Sequence, residues 1–327
     1  MGFDLVYFLQ RAVAQALPLL FGSNGEILNE KAGSLNLGIP GIMVSGGVAG
    51  IVSATIYENS VANPKGWIGL LISLLSSIAC SLLVSLIYCV LTVTLRANQN
   101  VTGLAITTFG TGLGNYFGGA IASLLGLSSN TITTTVNAYK TPIIPFYDKL
   151  GAVGTIFFSH GFLFYVGVII AVVSAIILKK TRVGLNLRAV GENPATADAA
   201  GINVTKYKYI TTCLGGIVAG LGGLYFAIDY SNGLWDTQSF GERGWLAIAL
   251  VIFVMWKPNL ALVGSFLFGA LYIADVFVPN LTPLTKEIFK MLPYVVTIIV
   301  LIATSFAKKK ENQPPQSLGL AYFREER

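Results

Sequence analysis

Residues 68–95 read IGLLISLLSSIACSLLVSLIYCVLTVTL, without a charged side chain. As a helix at 1.5 Å per residue the run would be about 42 Å long, more than the roughly 30 Å of hydrocarbon in a bilayer. It must tilt or project from a membrane. The rest of the chain agrees. Of its 327 residues 54% are hydrophobic and only 11% charged, and the mean hydropathy is +0.70. Soluble domains carry about a quarter charged residues, so there is too little charge here to solvate a globular surface. Five more runs meet the crossing criterion, at 39–57, 162–178, 209–228, 260–278 and 288–306.

Three segments are less regular. Residues 3–21 are apolar but carry Gln10, Arg11 and Gln15. A lipid-facing central arginine costs at least about 2.5 kcal/mol, so this stripe should turn toward protein or lie in the interface. Asp4 precedes the apolar region and no basic segment does, which argues against a signal peptide. Residues 101–127 have Gly110, Gly114 and Gly118 at four-residue spacing, suited to close helix packing, while Gly112 and Gly119 admit a broken helix. Residues 245–255 are too short to cross alone, and Trp256-Lys257-Pro258-Asn259 then turns the chain into the next run. The expected fold is an all-α integral membrane protein of roughly eight to ten transmembrane helices.

The net charge of +6 has an address. Lys179, Lys180, Arg182, Arg188, Lys206 and Lys208 stand against Glu192 and Asp198 in residues 179–208, an excess of four. Lys308, Lys309, Lys310, Arg324 and Arg327 stand against Glu311, Glu325 and Glu326 in the tail, an excess of two. By the positive-inside rule both places face the cytoplasm, and counting back from the tail puts Arg96 and Lys257 on the same side. Residues 58–65, 128–160 and 229–243 fall outside. The domain division is therefore a membrane domain over 1–306, with a basic loop at 179–208, and a cytoplasmic tail over 307–327. That tail, with its Pro314-Pro315 pair, reads as a solvated extension. No nucleic-acid partner is needed to account for the charge.

Enzyme chemistry finds little support. His160, the single histidine, sits at an expected outer boundary and reads as an interfacial residue. No catalytic cluster and no metal spacing is present, and Cys80, Cys89 and Cys213 lie within apolar runs, as packing thiols do. No Gly-x4-Gly-Lys-Ser/Thr motif occurs, so ATP phosphates would have to be held by a partner.

Two polar stretches carry the functional reading. Residues 181–205 are TRVGLNLRAVGENPATADAAGINVT. Asn193 reads as an N-cap, Pro194 as the first helical residue and Gly201 as the residue that ends the helix. One or two turns on the basic side cannot be stable alone, so they need something to dock on or a neighbouring loop to hold them, and docking is the reading preferred over an ordinary inter-span loop. Residues 22–41, GSNGEILNEKAGSLNLGIPG, are too polar for lipid. Their glycines and Pro40 prevent one regular helix, as expected of non-helical backbone beside a cavity or a surface loop with a Glu30/Lys31 pair.

In this order and spacing the two stretches resemble the permease subunits of ABC importers in the branched-chain amino acid, ribose and nucleoside group, most closely the nucleoside subgroup. An early motif of the type E-x-x-G-x-x-N-x-G-x-x-G is present as Glu30, Gly33, Asn36, Gly38 and Gly41. A cytoplasmic motif is present as Arg182, Gly184, Arg188, Ala189, Val190, Gly191, Glu192, Asn193, Pro194, Ala197, Ala200, Gly201 and Ile202, with Thr196 in place of the usual first alanine of a pair. A glycine-rich pattern follows at 215–223, and a Gly-Arg-Gly is altered to Glu242-Arg243-Gly244. The likeness spans about residues 5–305.

The resemblance implies a type II importer-like permease in the bacterial cytoplasmic membrane, one of two permeases, the second a related chain, above two ABC ATP-binding subunits that hold ATP and Mg. The chain itself would bind no cofactor and no metal. Arg188, Gly191, Glu192, Asn193, Pro194, Ala197 and Gly201 would form the element that couples to the ATPase. A substrate-binding lipoprotein outside would deliver the small-molecule substrate, a nucleoside, with a ribose-type sugar or a branched-chain amino acid as alternatives. Asn36, Gly38 and Gly41 are expected near its path, joined by Asn100 and Asn115 from the polar series Asn98, Asn100, Thr102, Thr107, Thr108 and Asn115. An ion-coupled secondary transporter is the rival of another class. It would need acids within spans, where the reading above finds only Asp275, near an outer boundary.

Overall fold

A computed structural model describes residues 4–118, 126, 132–278, 282–307 and 313–323. Parts of two expected segments lie outside these: residues 119–125 and 127 of the 101–127 run, with Gly119, and the tail charges at 308–311 and 324–327.

Asp4 caps helix α1, Leu5–Lys31, accepting from the Val6 and Tyr7 N–H groups. This helix extends ten residues beyond the apolar run, through the first half of the 22–41 stretch that was expected to prevent one regular helix. The break is confined to the turn before α2, Ile39–Ser60. Burial explains the difference: Ser23, Asn24, Glu26 and Asn29 are interior, so the polarity that argued against a crossing helix faces protein. The long apolar run forms α3, Gly66–Cys89, with a π-turn over Val90–Thr94 that ends at Arg96, in the left-handed region at φ 59°. Helix α4, Gln99–Gly118, is unbroken through Gly112.

Short helices α5, Thr133–Lys140, and α6, Gly151–Phe157, precede α7, Phe162–Lys180. The basic loop then folds as α8, Arg182–Glu192, and α9, Pro194–Ala199. Helix α10, Val204–Leu224, ends in a second π-turn over Tyr225–Tyr230. After the single turn α11, Thr237–Phe240, come the short apolar α12, Arg243–Phe253, then α13, Pro258–Phe277, and α14, Pro283–Ala307. Among the described residues six helices are long and apolar enough to cross a membrane: α1, α2, α3 with its π-turn, α7, α10 with its π-turn, and α13. Helices α4 and α14 have crossing length, 20 and 25 residues.

Helix α10 is the hub, packed on α1, α2 and α3. Its glycines make this possible. A Cβ on Gly220 would fall 2.5 Å from Ser81 Cβ, and one on Gly216 2.8 Å from Ser85 Cβ. These serines belong to a buried stripe, Ser73, Ser77, Ser81 and Ser85, at four-residue spacing along α3. Small residues let membrane helices approach to backbone contact, where dispersion and weak C–H···O contacts accumulate. The same logic joins α2 to α4: Gly110 faces Gly41, while Gly114 and Gly118 make room for Val44 and Trp235. Arg11 does turn inward, its guanidinium 5.0 Å from the Tyr230 ring centre, and Gln10 donates to Ser159 at 3.0 Å.

Candidate functional site

Thr181 caps α8, its hydroxyl accepting from the Gly184 N–H at 3.1 Å. One residue breaks α8 from α9: Asn193, extended at φ −149°, whose Oδ1 accepts from the Thr196 N–H at 2.9 Å. Pro194 opens α9, and Gly201 follows its C-cap at φ +83°. The capping expected from sequence is therefore present. The three full turns of α8 before it were not foreseen, because its mixed polar and apolar residues resemble a loop until their faces are known. Val190 and Ala197 make a small core with Val204.

The seven residues expected to couple divide by exposure. Arg188, Glu192 and Asn193 are exposed on the outer surface of the block, Pro194 is half-buried, and Gly191 and Ala197 are buried. Gly191 touches the α1–α2 turn directly. A Cβ there would lie 3.1 Å from the Lys31 carbonyl carbon and 3.2 Å from the Gly33 nitrogen, so only glycine seats without displacement. Gly201 is exposed and has open space around it, so its role is the left-handed turn alone.

Above this seat lies a buried polar network. Glu26 accepts from the Asn36 N–H and from Asn29 Nδ2, both at 2.9 Å. Asn36 Oδ1 in turn accepts from the Gly38 N–H at 3.0 Å. Glu30 accepts from the indole N–H of Trp256, which sits in the left-handed region at φ 56° beside Met255 at φ 53°. Such backbone is costly for bulky residues and persists only where the surroundings hold it. Gln99, at the start of α4, accepts from the Leu35 N–H at 2.7 Å. Glu26 figured in the sequence only as part of the polar 22–41 stretch and Trp256 only as the start of a turn, while Gln99 was not singled out. The turn itself carries Gly33, Asn36 and Gly38 of the early motif, but the side chains that hold it come from three separate segments.

Glu26 and Glu30 also correct the expectation that Asp275 is the one clear acid within a span, since both lie inside α1, a crossing helix. Both are buried and engaged with the turn that seats the 182–202 block. Asn36 is fully buried, Gly38 is packed on Ile106, and Gly41 meets the backbone of Ile106 and Thr107. Asn100 and Asn115 are exposed on α4. His160, two residues before α7, is buried against protein. Its Nε2 lies 2.9 Å from the Ile156 carbonyl and its ring stacks on Phe164, and burial pushes its pKa down. Cys80, Cys89 and Cys213 are free thiols, and among the described residues no group of three or more His, Cys, Asp or Glu is placed to hold a metal.

Residues 8–301 match the family model described as branched-chain amino acid transport system, permease component. The chain belongs to that family. Relatives over the full length agree. The permease is 32% identical to a putative glucose ABC transporter permease protein, TsgC13, of Haloferax volcanii, over 97% of each chain. It is 31% identical to the guanosine ABC transporter permease protein NupQ of Bacillus subtilis, over 99% of this chain and 100% of NupQ. It is likewise 31% identical to the nucleoside ABC transporter permease protein NupC of Lactococcus lactis, over 91% and 93%. The protein is thus a multi-pass membrane transport subunit of the ABC class, and not itself an enzyme.

Proposed function

We propose that this permease is one of two that enclose the path of an ATP-driven nucleoside importer, and that the 182–202 block receives the ATPase. The observation that carries the coupling reading is the block itself: two capped helices seated backbone to backbone on the α1–α2 turn, with Arg188, Glu192 and Asn193 left exposed. A rigid, charged, exposed element suits a partner that must push on the membrane helices. ATP and Mg would sit on that partner, and its conformational cycle would bias the permease between two accessible states. The excess positive charge of residues 179–208 supports a cytoplasmic location for the block and the C-terminus, in a bacterial cytoplasmic membrane. An extracytoplasmic lipoprotein would deliver substrate, and a related chain would form the second half.

For the path, the exposed face of α4 has the right chemistry. Thr108, Gly112 and Asn115 fall on one stripe of a helix of crossing length and are exposed, whereas polar groups in a span ordinarily face protein or water. Asn115, with Asn100 at the end of the same helix, would offer amides to a neutral substrate. Gly38 and Gly41 would act from behind by fixing α4. Asn36 keeps a buried Nδ2 donor with no partner among the described residues, which supports contact with substrate or water in another state.

The nucleoside reading rests on NupQ and NupC, and the glucose relative makes a sugar the second reading. In proteoliposomes containing the complete transporter, labelled guanosine uptake should be competed by nucleosides and not by glucose or ribose. Arg188→Ala and Glu192→Ala should each uncouple ATP hydrolysis from uptake. Competition by glucose alone would refute the substrate, and unchanged coupling in both variants would refute the block's role. Uptake abolished by a protonophore yet insensitive to ATP depletion would favour ion coupling instead.

A further inference from the structure

Residues 313–323, expected to be a solvated tail, are laid against the 182–202 block. Pro315 and Ser317 are buried, and two tight turns, Leu318 N–H to Pro315 O and Leu320 N–H to Ser317 O, both 3.1 Å, shape the segment. Gly319 takes the left-handed conformation at φ +79°.

The segment reaches three separate elements. Ser317 donates to the Gly191 carbonyl twice, from its N–H at 3.1 Å and from its hydroxyl at 2.5 Å. Carbonyls in the last turn of a helix have no acceptor role within it, so Ser317 supplies α8 with a C-terminal cap from elsewhere in the chain. The Gly319 N–H donates to Gly33 O in the α1–α2 turn at 3.3 Å. Gln99, which already accepts from Leu35, donates to Leu320 O at 3.3 Å. Tyr322 donates to Asp198 of α9 at 2.8 Å and packs on the small core of the block. Finally, the Arg96 guanidinium lies over the Phe323 ring at 4.7 Å.

We propose that residues 313–323 clamp the 182–202 block, the α1–α2 turn and the start of α4 into one body, and that Ser317 and Tyr322 are positioning residues for energy coupling. The proposal rests on the block receiving the ATPase. Gly191 alone gives the block a contact without a tether: it can be pushed against Lys31 and Gly33 but not pulled. The clamp adds hydrogen bonds that hold in both directions, so a displaced block carries the turn with it. From the turn, α2 passes the displacement to α4 through the Gly41–Gly110 contact.

The test is substrate moved per ATP hydrolysed by the complete transporter in proteoliposomes, with hydrogen exchange read at residues 33 and 189–193. Ser317→Pro removes both donors, Ser317→Thr keeps both, and Tyr322→Phe removes one hydroxyl. Each lost hydrogen bond is expected to lower the transport ratio about five-fold. Exchange should quicken to match in Ser317→Pro and Tyr322→Phe, with a near-normal ratio in Ser317→Thr. A purely structural role would lower the amount of transporter and leave the ratio alone. Unchanged ratios in both Ser317→Pro and Tyr322→Phe, or an equal loss in Ser317→Thr, would overturn the proposal. If Arg188→Ala and Glu192→Ala stay coupled while the Ser317→Pro ratio falls, the block's ATPase role fails and the coupling role of Ser317 and Tyr322 loses its basis, although their hold on the α1–α2 turn remains. The reverse pattern removes the clamp alone.

Discussion

Two glycines two residues apart on α4, on opposite faces of the helix, should respond to the same substitution with opposite signs. A Cβ built on Gly110 lies 2.5 Å from Gly41 Cα and 2.6 Å from its carbonyl carbon. Carbon atoms in ordinary contact sit about 3.5–4.0 Å apart, so Gly110→Ala overlaps α2 by about 1 Å. The obstructing atoms are backbone and cannot rotate away. Overpacking of this kind costs about 1–3 kcal/mol. Replacing glycine by alanine inside a helix returns about 0.5–1 kcal/mol. At the midpoints of these ranges the net expected loss is about 1.25 kcal/mol, a factor of roughly 8 in the folded ratio. Gly112 has nothing within 4 Å of its Cβ position, so Gly112→Ala should keep the helix gain and lose nothing.

Gly41→Ala makes the same collision from the other side, 2.6 Å from Thr107 Cα and 2.8 Å from the Ile106 carbonyl carbon. Because the two variants disturb one contact, the double variant should cost less than their sum. Thermal unfolding of the purified transporter in one detergent is the assay, at about 2–4 °C per kcal/mol for chains approaching this size. The expected order is Gly112→Ala at or above the wild type, with Gly110→Ala and Gly41→Ala a few degrees below. Gly110→Ala as stable as Gly112→Ala would refute the backbone contact. A Gly41→Ala protein of normal stability but altered apparent KM would instead make Gly41 a wall of the path.

Glu26→Ala strands the buried Asn36 N–H and Asn29 amide, and should destabilise the purified protein by about 1–3 kcal/mol per orphaned group, whereas Glu26→Gln, which keeps one acceptor, should lose less. Equal melting of the two variants would show that the network does not hold the turn. Asn193→Ala removes the cap of α9 and should cost about 1 kcal/mol, read as faster amide exchange over 194–200 with the membrane helices unaffected; unchanged exchange there would argue against the cap.

The apolar runs, the positions of the positive charge and the Asn193-Pro194-Gly201 punctuation were sufficient to establish a helical membrane protein with a structured polar loop. These properties are local: hydrophobic length, capping and backbone freedom are set within a few residues of chain. The family motifs carried the reading further, because residues 182–202 meet their pattern almost residue by residue.

What tertiary structure decided is everything that depends on which atoms face each other across long sequence separations. Polarity at Glu26, Asn29 and Asn36 looked like a loop and is instead the interior of α1 and its turn, because Trp256, Gln99 and close helix neighbours shield it from lipid. The serines of α3 could be counted in the sequence, but their opposing glycines on α10 could not be assigned. The C-terminal segment is the clearest case. It is short, proline-bearing and bounded by charge, and it is held largely by hydrogen bonds from its backbone and from single hydroxyls, contacts that impose almost no pattern on residue types. Only the folded chain brings Ser317 to Gly191, and with it the basic loop, the first turn and residues 313–323 into one place.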